Sequence, residues 1–214
     1  RTYFYRYILE LPEARALSDE SKAKNQGNFI HKMLEFYYKN YSKNNFNLKI
    51  FNDLLEQEYQ KYGISELELE IFKLKFIQFA KNEEEHFKLG YKVIEQEEEH
   101  HKTLNIQNHT IRLKGIVDRI DKLGDKHFII DYKSGKVPSK SFQLAFYKAL
   151  YDENAEAKFY DLNQMQFVEE KAKSLDELKE CLKDLLEQRE EEIEFENDKD
   201  EYCPYKIIYK KDFR

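Results

Sequence analysis

Near residue 90 the spacing of apolar residues changes period, and this change constrains the fold more than any other feature of the chain. Before it, Phe29, Ile30, Met33, Leu34, Phe36 and Tyr37 recur at helical intervals and predict a helix over Gln26–Lys43. A second helix is predicted over Phe51–Tyr62, stopping near Gly63. Ser65-Glu66-Leu67-Glu68 is a capping box opening a long helix toward Leu89, with Leu69, Phe72, Phe76 and Phe79 spaced three and four apart. After the change, Val93–Arg119 holds alternating stretches such as Thr110-Ile111-Arg112-Leu113-Lys114 that fit β-strands. Gly115–Ile120 and Lys126–Lys133 flank the tight-turn sequence Leu123-Gly124-Asp125 and read as a hairpin. Helix returns over Ser141–Tyr151, one or two strands follow over Ala157–Phe167, and a capping box at Ser174-Leu175-Asp176-Glu177 precedes a charged helix to about Glu191. The aromatic-rich Arg1–Leu11 fits either a strand or a short helix. This order predicts one α/β (α+β) domain over 1–214 with a small mixed sheet. Its mainly helical part covers 1–90, its sheet 91–170, and its C-terminal helix and tail 171–214.

Composition narrows the function classes. No run of eighteen apolar residues occurs, which excludes a membrane-spanning helix and predicts no membrane partner. The chain opens Arg1-Thr2-Tyr3 with neither a methionine nor a signal peptide's apolar run, and so reads as a piece of a longer protein. Two cysteines, Cys181 and Cys203, are too few for a disulfide framework, and the simplest home is a reducing cytoplasm. They are also too few for a four-cysteine zinc or iron–sulfur site within this chain. The net charge of −6 is local: residues 169–201 carry fifteen acidic and six basic side chains, leaving a net +3 elsewhere. The total charge therefore does not exclude a nucleic-acid partner.

The chemistry-bearing residues lie in Gly115-Ile-Val-Asp118-Arg-Ile-Asp121 and Ile129-Ile-Asp131-Tyr-Lys133-Ser-Gly135. Strand alternation puts Asp131 and Lys133 on one sheet face. An acid and a base buried together are costly unless they share a function or a metal. If the two strands pair, the carboxylates of Asp118 and Asp131 converge within reach of one ion. Such an oxygen-rich set with open positions suits Mg²⁺ or Mn²⁺. Asp121, three residues after Asp118, points to the opposite face and is assigned a structural role. His100, His101 and His109 lack ligand spacing and are read as surface residues.

The pattern Asp…Asp-X-Lys resembles the PD-(D/E)XK nuclease superfamily, and its fuller form resembles the RecB/AddB branch, the nuclease domains of bacterial helicase–nuclease complexes. Four pieces match in order: Gly27-Asn-Phe-Ile-His31-Lys-Met-Leu-Glu35, Gly115-Ile-Val-Asp118-Arg119-Ile-Asp121, Asp131-Tyr-Lys133-Ser-Gly135 and Gln143-Leu-Ala-Phe-Tyr147. The resemblance implies that His31, Asp118 and Asp131 bind the metal together with the backbone carbonyl of Tyr132, and that Lys133 is the catalytic lysine. It implies that Gln143 and Tyr147 support the site or contact the nucleic-acid backbone, and that Glu35, at i+4 from His31, orients that histidine. The implied activity is Mg²⁺- or Mn²⁺-dependent phosphodiester hydrolysis with departure of the 3′ oxygen. The implied setting is DNA repair or recombination, with a helicase feeding single-stranded DNA ends. Many AddB-type domains hold an iron–sulfur cluster on one early and three late cysteines. Here Cys203-Pro204-Tyr205 resembles one such motif, but Asp200 and Tyr209 stand where its partners would be and the opening has no cysteine, so no cluster is expected. The rival reading is a catalytically inactive DNA-binding or scaffold module of such a complex.

Overall fold

The computed structural model describes residues 19–137, 141–168 and 173–189. Three helices come first: α1 (Asp19–Asn40), α2 (Leu48–Glu58) and α3 (Glu66–Lys88). The second predicted helix divides into α2 and a single 3₁₀ turn, Tyr59–Tyr62, which ends at Gly63 with φ +68°. That left-handed backbone is open to glycine at no steric cost. α3 opens on the predicted capping box: Ser65 Oγ accepts from the Glu68 N–H, and the Glu68 carboxylate accepts from the Ser65 N–H at 2.8 Å.

Five strands follow, with two more helices among them: β1 (Lys92–Ile106), β2 (His109–Leu123), β3 (Lys126–Lys133), α4 (Gln143–Leu150), β4 (Glu156–Asp161), β5 (Gln166–Val168) and α5 (Leu175–Arg189). They form one sheet in the order β1-β2-β3-β4-β5. Only the β3–β4 pair is parallel, and α4 makes its crossover. The hairpin predicted around Gly124 is β2–β3. A second, longer hairpin joins β1 to β2 through Gln107-Asn108, a turn that neither glycine nor proline marks. Gln107 takes the left-handed backbone there, at φ +53°. The capping box before α5 is also present, with Glu177 N–H donating to Ser174 Oγ and Ser174 N–H to the Glu177 carboxylate. Arg1–Leu11, Cys203 and the end of the last predicted helix lie outside the described residues.

The sheet is covered on both faces, which accounts for the strongly apolar β3. Phe128, Ile130 and Tyr132 point into a core with Phe29, Leu34, Tyr37, Phe51, Phe76 and Phe79 of α1–α3. Ile129 points the other way, into a core with Leu144, Ala149 and Leu150 of α4 and Leu178 of α5. Among the described residues no helix is long and apolar enough to cross a membrane.

A buried charge cluster ties the layers together on the α1–α3 side. Arg119 of β2 has no exposed surface. Its guanidinium donates to both oxygens of Asp121 at 2.7 and 2.8 Å, to Glu83 of α3 at 2.8 Å and to the Tyr132 hydroxyl at 3.0 Å. Tyr38 of α1 joins it, 3.2 Å from Arg119 Nη1 and hydrogen-bonded to Glu83. His86 Nε2 completes the set 2.7 Å from Asp121. Asp121 is thus structural and on the face opposite Asp118, as alternation predicts. Removing one partner of a buried ion pair leaves the others uncompensated. Arg119→Met should therefore lower unfolding free energy by about 3–5 kcal/mol in urea titration. A loss below about 1 kcal/mol would show that the cluster does not hold the layers.

Candidate active site

The β2–β3 ladder ends at the pair Arg119↔Ile130, short of Asp118 and Asp131. Beyond it the Tyr132 N–H donates to Asp118 Oδ2 at 2.8 Å. A side-chain carboxylate thereby takes the place of a ladder carbonyl and satisfies a buried donor. The β1–β2 ladder breaks at the same level. Gln96↔Arg119 and Glu98↔Val117 are paired, and Glu97 between them has φ +48°. Such a backbone costs on the order of 1 kcal/mol in a residue other than glycine, and it persists only where surrounding contacts impose it.

His31 of α1 closes the group. Its Nδ1 lies 3.5 Å from both Glu97 Oε1 and Asp118 Oδ2, and its ring stands edge-on to Tyr132 at 5.9 Å. One ligand atom from each of His31, Glu97 and Asp118 lies within 4.8 Å of the other two. Oxygen–cation bonds of about 2.0–2.6 Å put ligands on opposite sides of an ion up to about 5 Å apart, so the spread suits a single divalent ion. α1 passes close to Ser134 at Gly27, where a Cβ would stand 2.3 Å from Ser134 Oγ and require that hydroxyl to turn away.

A second group adjoins the first. Lys133 Nζ is 2.6 Å from Asp131 Oδ2, so the acid and base share a face as alternation requires. Gln143 of α4 bridges them: its Nε2 donates to Asp131 Oδ1 at 2.8 Å and its Oε1 accepts from Lys133 Nζ at 2.9 Å. The Tyr147 hydroxyl lies 2.9 Å from the same Nε2, one helical turn on. Two residues stand differently from expectation. Glu35 does not reach for His31; its carboxylate is taken up by Lys32 at 2.6 Å and Lys39 at 3.1 Å. The carboxylate beside His31 belongs to Glu97, which sequence reasoning missed. Glu97 sits in the run Glu95-Gln96-Glu97-Glu98-Glu99, where composition marks no member as special. His100 and His101 pair with Glu95 and Glu99, each at 2.8 Å.

Electrostatics separate these carboxylates from the structural one. Burial, then the charge of Asp131, pushes the Asp118 carboxyl up to about 7, with His31 opposing. Burial also raises Asp131, against the pull of Lys133. Burial works against the His31 imidazolium, yet its hydrogen bond to Glu97 and the charges of Asp118, Glu97 and Asp131 prevail and raise it. Burial would raise Asp121 too, but Arg119 and His86 hold it low. Asp118 therefore has a histidine and a backbone N–H where Asp121 has a guanidinium.

A carboxyl raised on folding binds its proton more tightly in the native state. Its contribution to stability is full below its unfolded value near 3.8 and is lost as pH rises through about 7. In EDTA, wild type should lose on the order of 3 kcal/mol between those limits relative to Asp118→Asn, as read from urea unfolding across pH. A difference between the two proteins that stays flat with pH would refute this.

Comparison with known proteins agrees with this geometry. The sequence profile of the PD-(D/E)XK nuclease superfamily matches residues 1–208. An uncharacterized protein of Rickettsia felis is 32% identical over 152 residues, covering 64% of this chain and 17% of the relative. An ATP-dependent helicase/deoxyribonuclease subunit of Streptococcus equi subsp. zooepidemicus is 29% identical over 158 residues, covering 69% of this chain and 14% of the relative. The chain thus spans about a sixth or less of the length of these relatives. With its five-stranded mixed sheet, flanking helices and clustered Asp, His and Lys side chains, the chain belongs to the PD-(D/E)XK nuclease superfamily.

Proposed function

We propose that this chain is a divalent-metal-dependent deoxyribonuclease, the nuclease part of a larger cytoplasmic protein that acts with a helicase in DNA recombination or double-strand-break repair. One observation carries the reading: the His31–Glu97–Asp118 cluster and the Asp131–Lys133–Gln143 group adjoin where the β2–β3 ladder ends. The similarity to a protein named as an ATP-dependent helicase/deoxyribonuclease subunit supports the helicase partner.

In this reading His31, Asp118 and Asp131 hold Mg²⁺ or Mn²⁺ with the backbone carbonyl of Tyr132, and Glu97 joins them. A divalent ion there would polarise a phosphoryl oxygen and lower the pKa of water. Lys133 keeps its ammonium beside the reacting phosphate and answers the negative charge that develops on it. Gln143 sets that ammonium in place. Its Nε2 is bonded to Asp131, so its Oε1 faces Lys133 and cannot exchange places with the nitrogen without losing both contacts. Contacts to the substrate backbone are largely independent of sequence, and exonucleolytic removal from single-stranded ends fits a strand delivered by a helicase.

The test is digestion of labelled single- and double-stranded DNA with Mg²⁺, Mn²⁺ or EDTA. Cleavage should need the metal and should fall about 10²–10³-fold in Lys133→Ala. Asp131→Ala serves as a further inactive control. Millimolar Mn²⁺ should raise the melting temperature of wild type and Lys133→Ala alike. Wild-type cleavage by Lys133→Ala would disprove the assigned chemistry. No cleavage together with no metal stabilisation would favour a non-catalytic binding module.

A further inference from the structure

A cleft of about 600 Å³ opens directly on the His31–Glu97–Asp118 cluster. Its far side carries Lys24 and Lys32 of α1 and Tyr62 of the 3₁₀ turn, and the nuclease reading gives none of the three a role. We infer that this side is a binding track for single-stranded DNA, in which Lys24 and Lys32 hold alternate backbone phosphates and Tyr62 stacks on a base next to the cluster. The inference rests on the nuclease reading for where the strand leads, but not for its binding.

Lys24, Asn28 and Lys32 follow one another at i, i+4 and i+8, are all exposed, and line the same cleft. Each step of four residues rises about 6 Å along the helix, comparable to the spacing of phosphates in an extended strand. His31 lies beside Lys32 on α1, so a phosphate held by Lys32 is delivered to the cluster. Lys32 now pairs with Glu35 at 2.6 Å on the surface, a contact that an arriving phosphate can replace at little cost. The ring of Tyr62 is tilted against Phe29 with centroids 5.3 Å apart, which anchors one side of it while the half-buried residue borders the cleft.

Stacking selects a single strand. A cleft of this volume matches one drug-sized ligand, that is, one or two nucleotides. A paired base is already stacked in its helix, whereas an unpaired one offers its face to an aromatic ring in any sequence. A cleft of about 660 Å³ beside the end of α3 also brings Lys49 and Lys88 together with Phe46 and Phe87, but no residue of the His31–Glu97–Asp118 cluster lines it. The cleft between the β1–β2 hairpin and α5 interleaves Lys179 and Lys183 with Glu153, Asp176 and Glu180, and it has no aromatic ring.

The test is anisotropy of a short fluorescent oligothymidylate in Ca²⁺, with a duplex of the same length alongside and cleavage assayed separately in Mn²⁺. Tyr62→Leu keeps packing against Phe29 but removes the stacking face, and should weaken single-strand binding roughly ten-fold or more, while Tyr62→Phe binds as wild type. Lys24→Gln with Lys32→Gln should flatten the slope of log affinity against log salt by about 1.4. In cleavage these variants should raise KM and leave kcat and the Mn²⁺-induced rise in melting temperature unchanged. Unchanged single-strand affinity in Tyr62→Leu, or a duplex bound more tightly than the single strand, would overturn the track. If wild type does not cleave but the variants still lose single-strand affinity, the nuclease reading fails and the track stands. If all proteins cleave with the same KM, the track fails and the nuclease stands.

Discussion

A guanidinium with no contact to water must have its charge and all its donors answered by protein, and Arg119 draws those answers from four elements at once. Asp121 comes from its own strand, Glu83 from α3, Tyr38 from α1 and Tyr132 from β3. Desolvating this many polar groups is expensive, and the cluster is favourable only as a complete set. That condition makes it a registration device: α1, α3 and the two central strands must meet in one relative position for any of the partners to be satisfied. Tyr132 carries the constraint across the sheet. Its hydroxyl is held by Arg119 on the helical side, and its N–H is held by Asp118. The position of the Asp118 carboxylate is thereby linked, through one residue, to the best-fixed charge in the molecule.

Two aspartates three residues apart on one strand show how environment divides structural from functional acids. Asp121 is fully buried and held low by Arg119 and His86. Asp118 is less buried, yet it is pushed up to about 7, because burial and the neighbouring Asp131 outweigh the opposing His31 and the Tyr132 N–H. The odd spacing places them on opposite faces, so one strand serves the core with one carboxylate and the site with the other.

Sequence periodicity and chemistry carried much of this architecture. The change of period near residue 90 marks the boundary between α3 and β1, and Ser65 and Ser174 mark two helix starts through their own hydrogen bonds. Strand alternation sets Asp131 beside Lys133 and helical spacing sets Gln143 beside Tyr147, while the meeting of the two pairs was implied by the family resemblance. Three features were not legible, each for a physical reason. The Gln107-Asn108 turn has neither glycine nor proline to announce it. Glu97 reaches the site because the β1–β2 register sets it opposite Asp118, and that register depends on the same unannounced turn. Glu35 and Glu97 were equally available to His31 by type. The choice fell on Glu97 because Lys32 and Lys39 flank Glu35 on its own helix and offer it nearer partners.

The two side-chain groups beyond the end of the β2–β3 ladder differ in how far the protein alone neutralises them. Asp131 has an ammonium at 2.6 Å and an amide donor at 2.8 Å. The His31–Glu97–Asp118 group has two carboxylates against one imidazole. A divalent cation entering the cleft therefore meets its largest electrostatic gain at Asp118 and Glu97. To take Asp131 as a further ligand it must share that carboxylate with Lys133. In the proposed reading Asp131 would be shared between the ion and Lys133, and its charge would hold both near the phosphate. Gln143, bonded to Asp131 and Lys133 at once, limits how far that pair can open, and Tyr147 limits Gln143 in turn. The spacing between the cation position and the lysine is thus set by a short chain of hydrogen bonds running into α4, whose packing on the opposite core keeps it fixed.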